Sequence, residues 1–225
     1  MSEQTAADFS GFGKKYKKIV FYGDSITKGT YTQEGDPMPM RIACPAYSDI
    51  VGNALGEIVK NFGMNGLSFS SASSVLPERA FCNSVEKCEL GNCIFVAFGT
   101  NDYGTDVPLG KPSDKSGETF FGAVDFCLKT IKRRSAESDV FIILPLPRLN
   151  ENKPNSKGFI LQNYRNAMAI VAERYGVNVI NGAELNIKPE NAEDKVNIIF
   201  DGTHINSLGH AMLAEFILQE INGLI

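Results

Sequence analysis

Five short apolar runs punctuate the chain, at residues 18–22, 57–61, 93–98, 139–146 and 177–180. The first, third and fourth are nearly continuous and rich in Val, Ile and Phe. Such runs predict strands buried on both faces. The second and fifth are shorter and more broken. Between the runs the period changes. In 117–134, Phe120, Val124, Cys127, Leu128 and Ile131 fall on one face of a helix. Segment 159–174 repeats this with Ile160, Tyr164, Ala167 and Val171, and 207–222 with Leu208, Met212, Ile217 and Ile221. Asn206 or Ser207 is the expected N-cap of the last helix. Strands alternating with helices predict an α/β fold: a three-layer α/β/α arrangement around a five-stranded parallel sheet. Residues 1–225 read as one such domain, with 1–15 as a flexible N-terminal segment.

Parallel strands all point the same way, so the residues that follow them gather along one edge of the sheet. That edge should collect Ser25, the run Gly63-Met64-Asn65-Gly66, the run Gly99-Thr100-Asn101-Asp102, Arg148, and the pair Asp201 and His204. Two polar, Gly/Pro-rich stretches, 29–45 and 104–118, should project from the same edge.

Composition removes several classes of function. A net charge of −4 and a charged share of 21% give no electrostatic footprint for nucleic acid. The short cluster Lys14, Lys15, Lys17, Lys18 reads as a solvated strand entry. No apolar stretch approaches the ~20 residues of a membrane span, so no integral membrane association is expected. The polar N-terminus has no hydrophobic signal core, and the chain as given reads as cytoplasmic; a trimmed exported chain would read the same. The five cysteines include no CxxC pair, and no His/Cys/carboxylate cluster suggests a metal. Cys93 and Cys127 read as buried apolar residues, while Cys82 and Cys88 could pair in an exported protein.

Serine, histidine and carboxylate together can make a hydroxyl nucleophilic at neutral pH. The chain has only two histidines. His204 stands three residues after Asp201, and His210 lies inside the last helical pattern with no acid partner. Taken singly, Asp24-Ser25 reads as a helix cap, Asn101-Asp102 as a turn, and Asp201 to His204 as a loop entering a helix. Their convergence at one sheet edge favours a shared site. Competing motifs are absent: there is no G-x-S-x-G elbow and no Walker sequence, and Gly11-Phe12-Gly13 precedes the first strand where a dinucleotide turn would follow it.

Four blocks, Gly23-Asp24-Ser25-Ile26-Thr27, Asn61 to Gly66, Gly99-Thr100-Asn101-Asp102 and Asp201-Gly202-Thr203-His204, resemble in order and spacing those of the SGNH or GDSL-type hydrolases. The resemblance implies a flavodoxin-like strand order, 2-1-3-4-5, and hydrolysis of a carboxylic ester without a cofactor. It implies Ser25 as nucleophile, His204 as general base and Asp201 as the residue that orients it. It further implies oxyanion donors in the N–H groups of Ser25 and Gly66 and the side-chain amide of Asn101, with Gly63 the alternative to Gly66. Tyr31, Tyr103 and Arg148 are candidates to line the substrate pocket. The expected partner is an ester of a carbohydrate, a lipid or a small molecule. An acyltransferase with the same residues, or a silent binding module on the same fold, would carry the same pattern.

Overall fold

The structure, a computed structural model, describes residues 14–36 and 41–224. Most of the N-terminal segment expected to be flexible, and positions 37–40 of the 29–45 loop, lie outside these. The strands are β1 (Tyr16–Gly23), β2 (Thr30–Tyr31), β3 (Arg41–Ile42), β4 (Gly56–Gly63), β5 (Cys93–Ala97), β6 (Asp139–Ile143) and β7 (Asn178–Ile180). The helices are α1 (Ser25–Lys28), α2 (Tyr47–Leu55), α3 (Phe81–Ser84), α4 (Thr100–Gly104), α5 (Phe120–Arg134), α6 (Leu161–Arg174), α7 (Ala192–Asn197) and α8 (Ser207–Leu224). Five strands form an all-parallel sheet in the order β4-β1-β5-β6-β7, which is the expected 2-1-3-4-5 order. The short strands β2 and β3 pair separately as an antiparallel ribbon.

Period-two alternation sorts the central strands onto two cores. On one face Phe21, Phe95 and Phe141 stand in register and stack across the sheet, with ring centroids 4.7 and 5.0 Å apart. Val51 and Leu55 of α2 and Leu213 and Ile217 of α8 cover that face. On the other face Val20, Ile94, Val96 and Ile142 meet Leu128 of α5 and Met168 of α6. Residues buried on both sides of the sheet produce the continuous apolar runs of β1, β5 and β6. β4 is an edge strand, with Ile58 and Phe62 exposed, and this accounts for its broken pattern.

Caps set the helix starts. The helix expected from 117 begins at Phe120, because Thr119 caps it by accepting from Gly122 N–H, while Gly117 O is taken by Ser71 N–H. Asn206 caps α8, its side-chain oxygen accepting from the N–H groups of Leu208 and Gly209. Asp125 of α5 pins the 104–118 loop: its buried carboxylate accepts from Lys115 Nζ at 2.7 Å and Tyr175 OH at 3.0 Å, and also pairs with Arg174. Cys82 and Cys88 are free; the Cys88 sulfur faces Arg134 instead. Lys15 and Lys18 pair with Asp139 and Glu89, as a solvated strand entry would.

His210 is fully buried between α2 and α8, its ring parallel to that of Tyr47 and its Nδ1 accepting from Tyr47 N–H at 3.2 Å. Its Nε2 has no partner among the described residues. Burial, with a smaller contribution from His204, pushes His210 down to about 4. The unfolded chain therefore binds the proton first, and the stabilisation from neutral His210 is full above about pH 6.5 and lost as pH falls towards 4. His210→Asn, which keeps an acceptor for Tyr47 but does not titrate, should gain about 3 kcal/mol relative to wild type between pH 8 and pH 4. Denaturant unfolding of both proteins at each pH reads this difference; a constant offset would refute it.

Candidate active site

Ser25 is the first residue of α1, directly after β1. The strand must turn sharply into the helix there. A Cβ on Gly23 would collide with Thr27 and with the Ala97 carbonyl of β5, so only glycine fits. Asp24 caps the short helix by accepting from Ile26 N–H at 2.9 Å. Its carboxyl is buried, and that burial raises it to about 6, against the lowering influence of the Ile26 N–H. Asn61 of β4 steadies α1 from the other side, its amide donating to Thr27 O at 2.7 Å.

Residues 179 positions apart meet at the carboxyl edge. Ser25 Oγ lies 2.8 Å from His204 Nε2, and His204 Nδ1 lies 2.7 Å from Asp201 Oδ2. An ionised Asp201 can only accept, so Nδ1 carries the proton and Nε2 is left to accept from the serine hydroxyl. The remaining capacity of Asp201 is filled. Oδ1 accepts from the N–H groups of Thr203 and His204, and Oδ2 also accepts from Thr32 Oγ at 3.0 Å. Burial works to raise Asp201, but the His204 ring and these N–H groups outweigh it and hold the carboxyl at about 2. Thr32 reaches the site from the 29–45 loop, and no sequence motif marks it.

The segment after β4 forms the adjoining wall. Leu67 N–H donates to Met64 O, and Gly66 takes φ +75° at the third position of that turn, a conformation that favours glycine. The Asn101 amide donates to Leu67 O at 2.8 Å, which brings Asn101 against the Gly66 turn. Gly63, the alternative, has its N–H taken by Asn61 Oδ1 at 2.8 Å. Asp102 is fully buried, and its two oxygens accept from Phe69 N–H and Ser70 N–H, each at 3.0 Å. Burial raises this carboxyl to about 7 despite those two donors. In sequence Asp102 had only the look of a turn residue.

The three pocket candidates fare differently. Tyr103 is buried, its hydroxyl 2.8 and 2.6 Å from the carbonyls of Asn150 and Lys153, so it supports the neighbouring loop. Arg148 lies above that ring, 5.4 Å from its centroid, and donates to Thr100. Tyr31 lies half-buried in the β2–β3 ribbon. Among the described residues no group of three or more His, Cys, Asp or Glu could hold a metal ion, and no helix is long and apolar enough to cross a membrane.

Sheet order and site together define an α/β protein with a hydrogen-bonded serine, histidine and aspartate at the carboxyl edge of its sheet. The model of the GDSL-like Lipase/Acylhydrolase family matches residues 21–212, and the chain belongs to that family. Membership supports a hydrolase activity. Solved structures share the fold. A protein from Lactobacillus plantarum is similar at 22% identity and a TM-score of 0.78, over 94% of this chain and 99% of that one. A possible lipase from Chitinophaga pinensis matches at 19% identity and 0.65, over 92% and 98%. The lipase/acylhydrolase from Enterococcus faecalis matches at 19% identity and 0.60, over 92% and 96%. No curated protein matches the chain.

Proposed function

We propose that the protein hydrolyses carboxylic esters through an acyl-enzyme on Ser25. The observation that carries this reading is the continuous hydrogen-bond chain from Ser25 through His204 to Asp201. In the first half-reaction Ser25 Oγ attacks the acyl carbon and passes its proton to His204 Nε2. The carbonyl oxygen becomes an oxyanion, which the Ser25 and Gly66 N–H groups and the free N–H of the Asn101 amide stabilise. The bond to the alcohol oxygen breaks as His204 returns the proton to it. Water then attacks the acyl-enzyme, giving its proton to His204. The tetrahedral species collapses to the carboxylic acid, and the proton returns to Ser25. Asp201 stays anionic throughout and stabilises the imidazolium. The substrate is an ester of a small molecule, a carbohydrate or a lipid.

A fluorophosphonate probe, followed by peptide mass spectrometry and a panel of acetyl to long-chain esters, tests this. Labelling at Ser25 should abolish ester turnover in proportion to the adduct formed. A protein that stays unlabelled and hydrolyses none of the panel would be the silent module instead. Ester product in place of free acid, on adding an acceptor alcohol, would mark an acyltransferase.

A further inference from the structure

Among the described residues no anion pairs with Arg148. Arg148 sits in the loop after β6, which is tied down from beneath by Arg165. That buried guanidinium donates to Pro145 O at 2.8 Å and Leu146 O at 2.9 Å, and to Glu151 Oε2 at 2.8 Å. Glu151 in turn accepts the Arg148 backbone N–H at 3.2 Å. The nearest acid on the loop is therefore committed to another arginine. Arg148 Nη1 donates to Thr100 O at 3.0 Å and Thr100 Oγ at 3.1 Å. Nε is sealed from solvent and has no partner among the described residues. Among the described residues Nη2 has no hydrogen-bond partner, and no salt bridge reaches Arg148.

Desolvating a guanidinium is costly, and two neutral oxygens and a tyrosine ring return only part of that cost. Burial accordingly lowers the Arg148 pKa, although Tyr103, Asp24, Asp201 and Glu151 oppose the shift. The position of the charge is informative. Thr100 adjoins Asn101, and Leu149 N–H donates at 2.7 Å to Gly202 O, next to Asp201. The loop that carries Arg148 is thus tied both to the Thr100–Asn101 turn and to the Asp201–His204 loop. The Arg148 guanidinium is held by the carbonyl and hydroxyl oxygens of Thr100 and not by a carboxylate, so its geometry does not depend on an ion pair that a ligand would have to break.

We propose that Arg148 is an anion subsite beside Ser25 and that the preferred esters carry a carboxylate near the scissile bond, which accepts from Arg148 Nη2. This rests on the ester-hydrolase reading above. A carboxylate matches the planar N–H donors of a guanidinium.

Two matched pairs test the subsite. Ethyl hydrogen succinate against ethyl methyl succinate puts the charge on the acyl side. O-acetyl lactate against its methyl ester puts it on the alcohol side. A charge-assisted hydrogen bond of ordinary strength predicts a kcat/KM ratio, charged over neutral, of at least ~10 in one pair. Arg148→Met should bring that ratio close to one, chiefly through KM for the charged ester, and Arg148→Lys should restore part of it. The same charged esters are titrated calorimetrically into Ser25→Ala protein and into the Ser25→Ala/Arg148→Met double variant. Binding to the first and not to the second is expected. Charged esters that are no better than neutral ones in both pairs, or binding that ignores Arg148, would overturn the subsite. So would equal losses on both members of a pair in Arg148→Met, which would make the arginine a brace for the Thr100–Asn101 turn. The failure of the ester reading looks different: no probe adduct and no turnover of any ester, while the calorimetry still decides whether Arg148 binds carboxylates.

Discussion

Ser25→Ala is expected to lower kcat on any ester the protein turns over by about 10⁴–10⁶-fold, with KM changed far less. The Oγ that would form the acyl bond is also the only hydrogen-bond partner of His204 Nε2 among the described residues. Without it the imidazole has no hydroxyl to activate, and the remaining donors can only help water attack. Stability should move little. Among the described residues Ser25 makes a single side-chain hydrogen bond, whose net contribution is about 1 kcal/mol, and alanine is well tolerated at the start of a helix. A thermal midpoint within a few degrees of wild type beside a collapsed kcat is the expected pair of results. Asp201→Asn should behave as a weaker version, with a loss of about 10⁴-fold. Its amide would donate to His204 Nδ1 and leave the proton on Nε2, facing Ser25, where an acceptor is needed. Stopped assays of both variants against the fluorophosphonate-titrated wild type measure this, and a Ser25→Ala protein with wild-type kcat would remove the serine from the mechanism.

What could be read from the sequence follows from where each element lies. β1, β5 and β6 are covered on both faces, so burial alone writes them as continuous apolar runs. β4 and β7 form the edges of the sheet, and their patterns weaken accordingly. α8 starts at Ser207 as expected, while α5 and α6 start three and two residues late; at α5 a single cap, Thr119, outweighs the apolar period at the helix end. That Ser25, Asp201 and His204 meet could be read because a parallel sheet gathers the residues that follow its strands at one edge. Thr32 could not, because a threonine in a polar loop carries no mark of the Asp201 oxygen it reaches across 169 positions. Tyr103 was placed at the pocket by its neighbours in sequence, but α4 turns its ring inward and its hydroxyl under the 150–153 loop. Sequence places Arg148 among the pocket candidates, but not the state of its charge; the tie between Glu151 and Arg165 leaves that charge unpaired among the described residues.

Asp102 is the position where a change should damage both stability and catalysis. Its carboxyl grips the N–H groups of Phe69 and Ser70, while the Phe69 ring is wedged among Phe81, Phe98 and Phe120. The segment carrying Gly66 is therefore held at one end by the Met64 turn and at the other by Asp102. Asp102→Ala leaves two buried donors without acceptors, at about 1–3 kcal/mol each, and should lower the thermal midpoint by about 5–15 °C. Asp102→Asn is the more telling variant. In either protonation state the acid offers an oxygen to each N–H; the amide offers an oxygen to one and a clashing NH₂ to the other. The Gly66 segment then shifts while the core stays closed. If the Gly66 N–H is the oxyanion donor proposed above, its displacement acts on the transition state and hardly on the bound ester, so Asp102→Asn should lose about 10²-fold in kcat with KM nearly unchanged, measured well below its own unfolding transition. Hydrogen exchange of the Phe69 and Ser70 amides gives the second readout, since both should exchange faster in the variant than in Ser25→Ala. A folded Asp102→Asn protein with wild-type kcat and protected amides would show that the aromatic cluster alone positions the Gly66 turn.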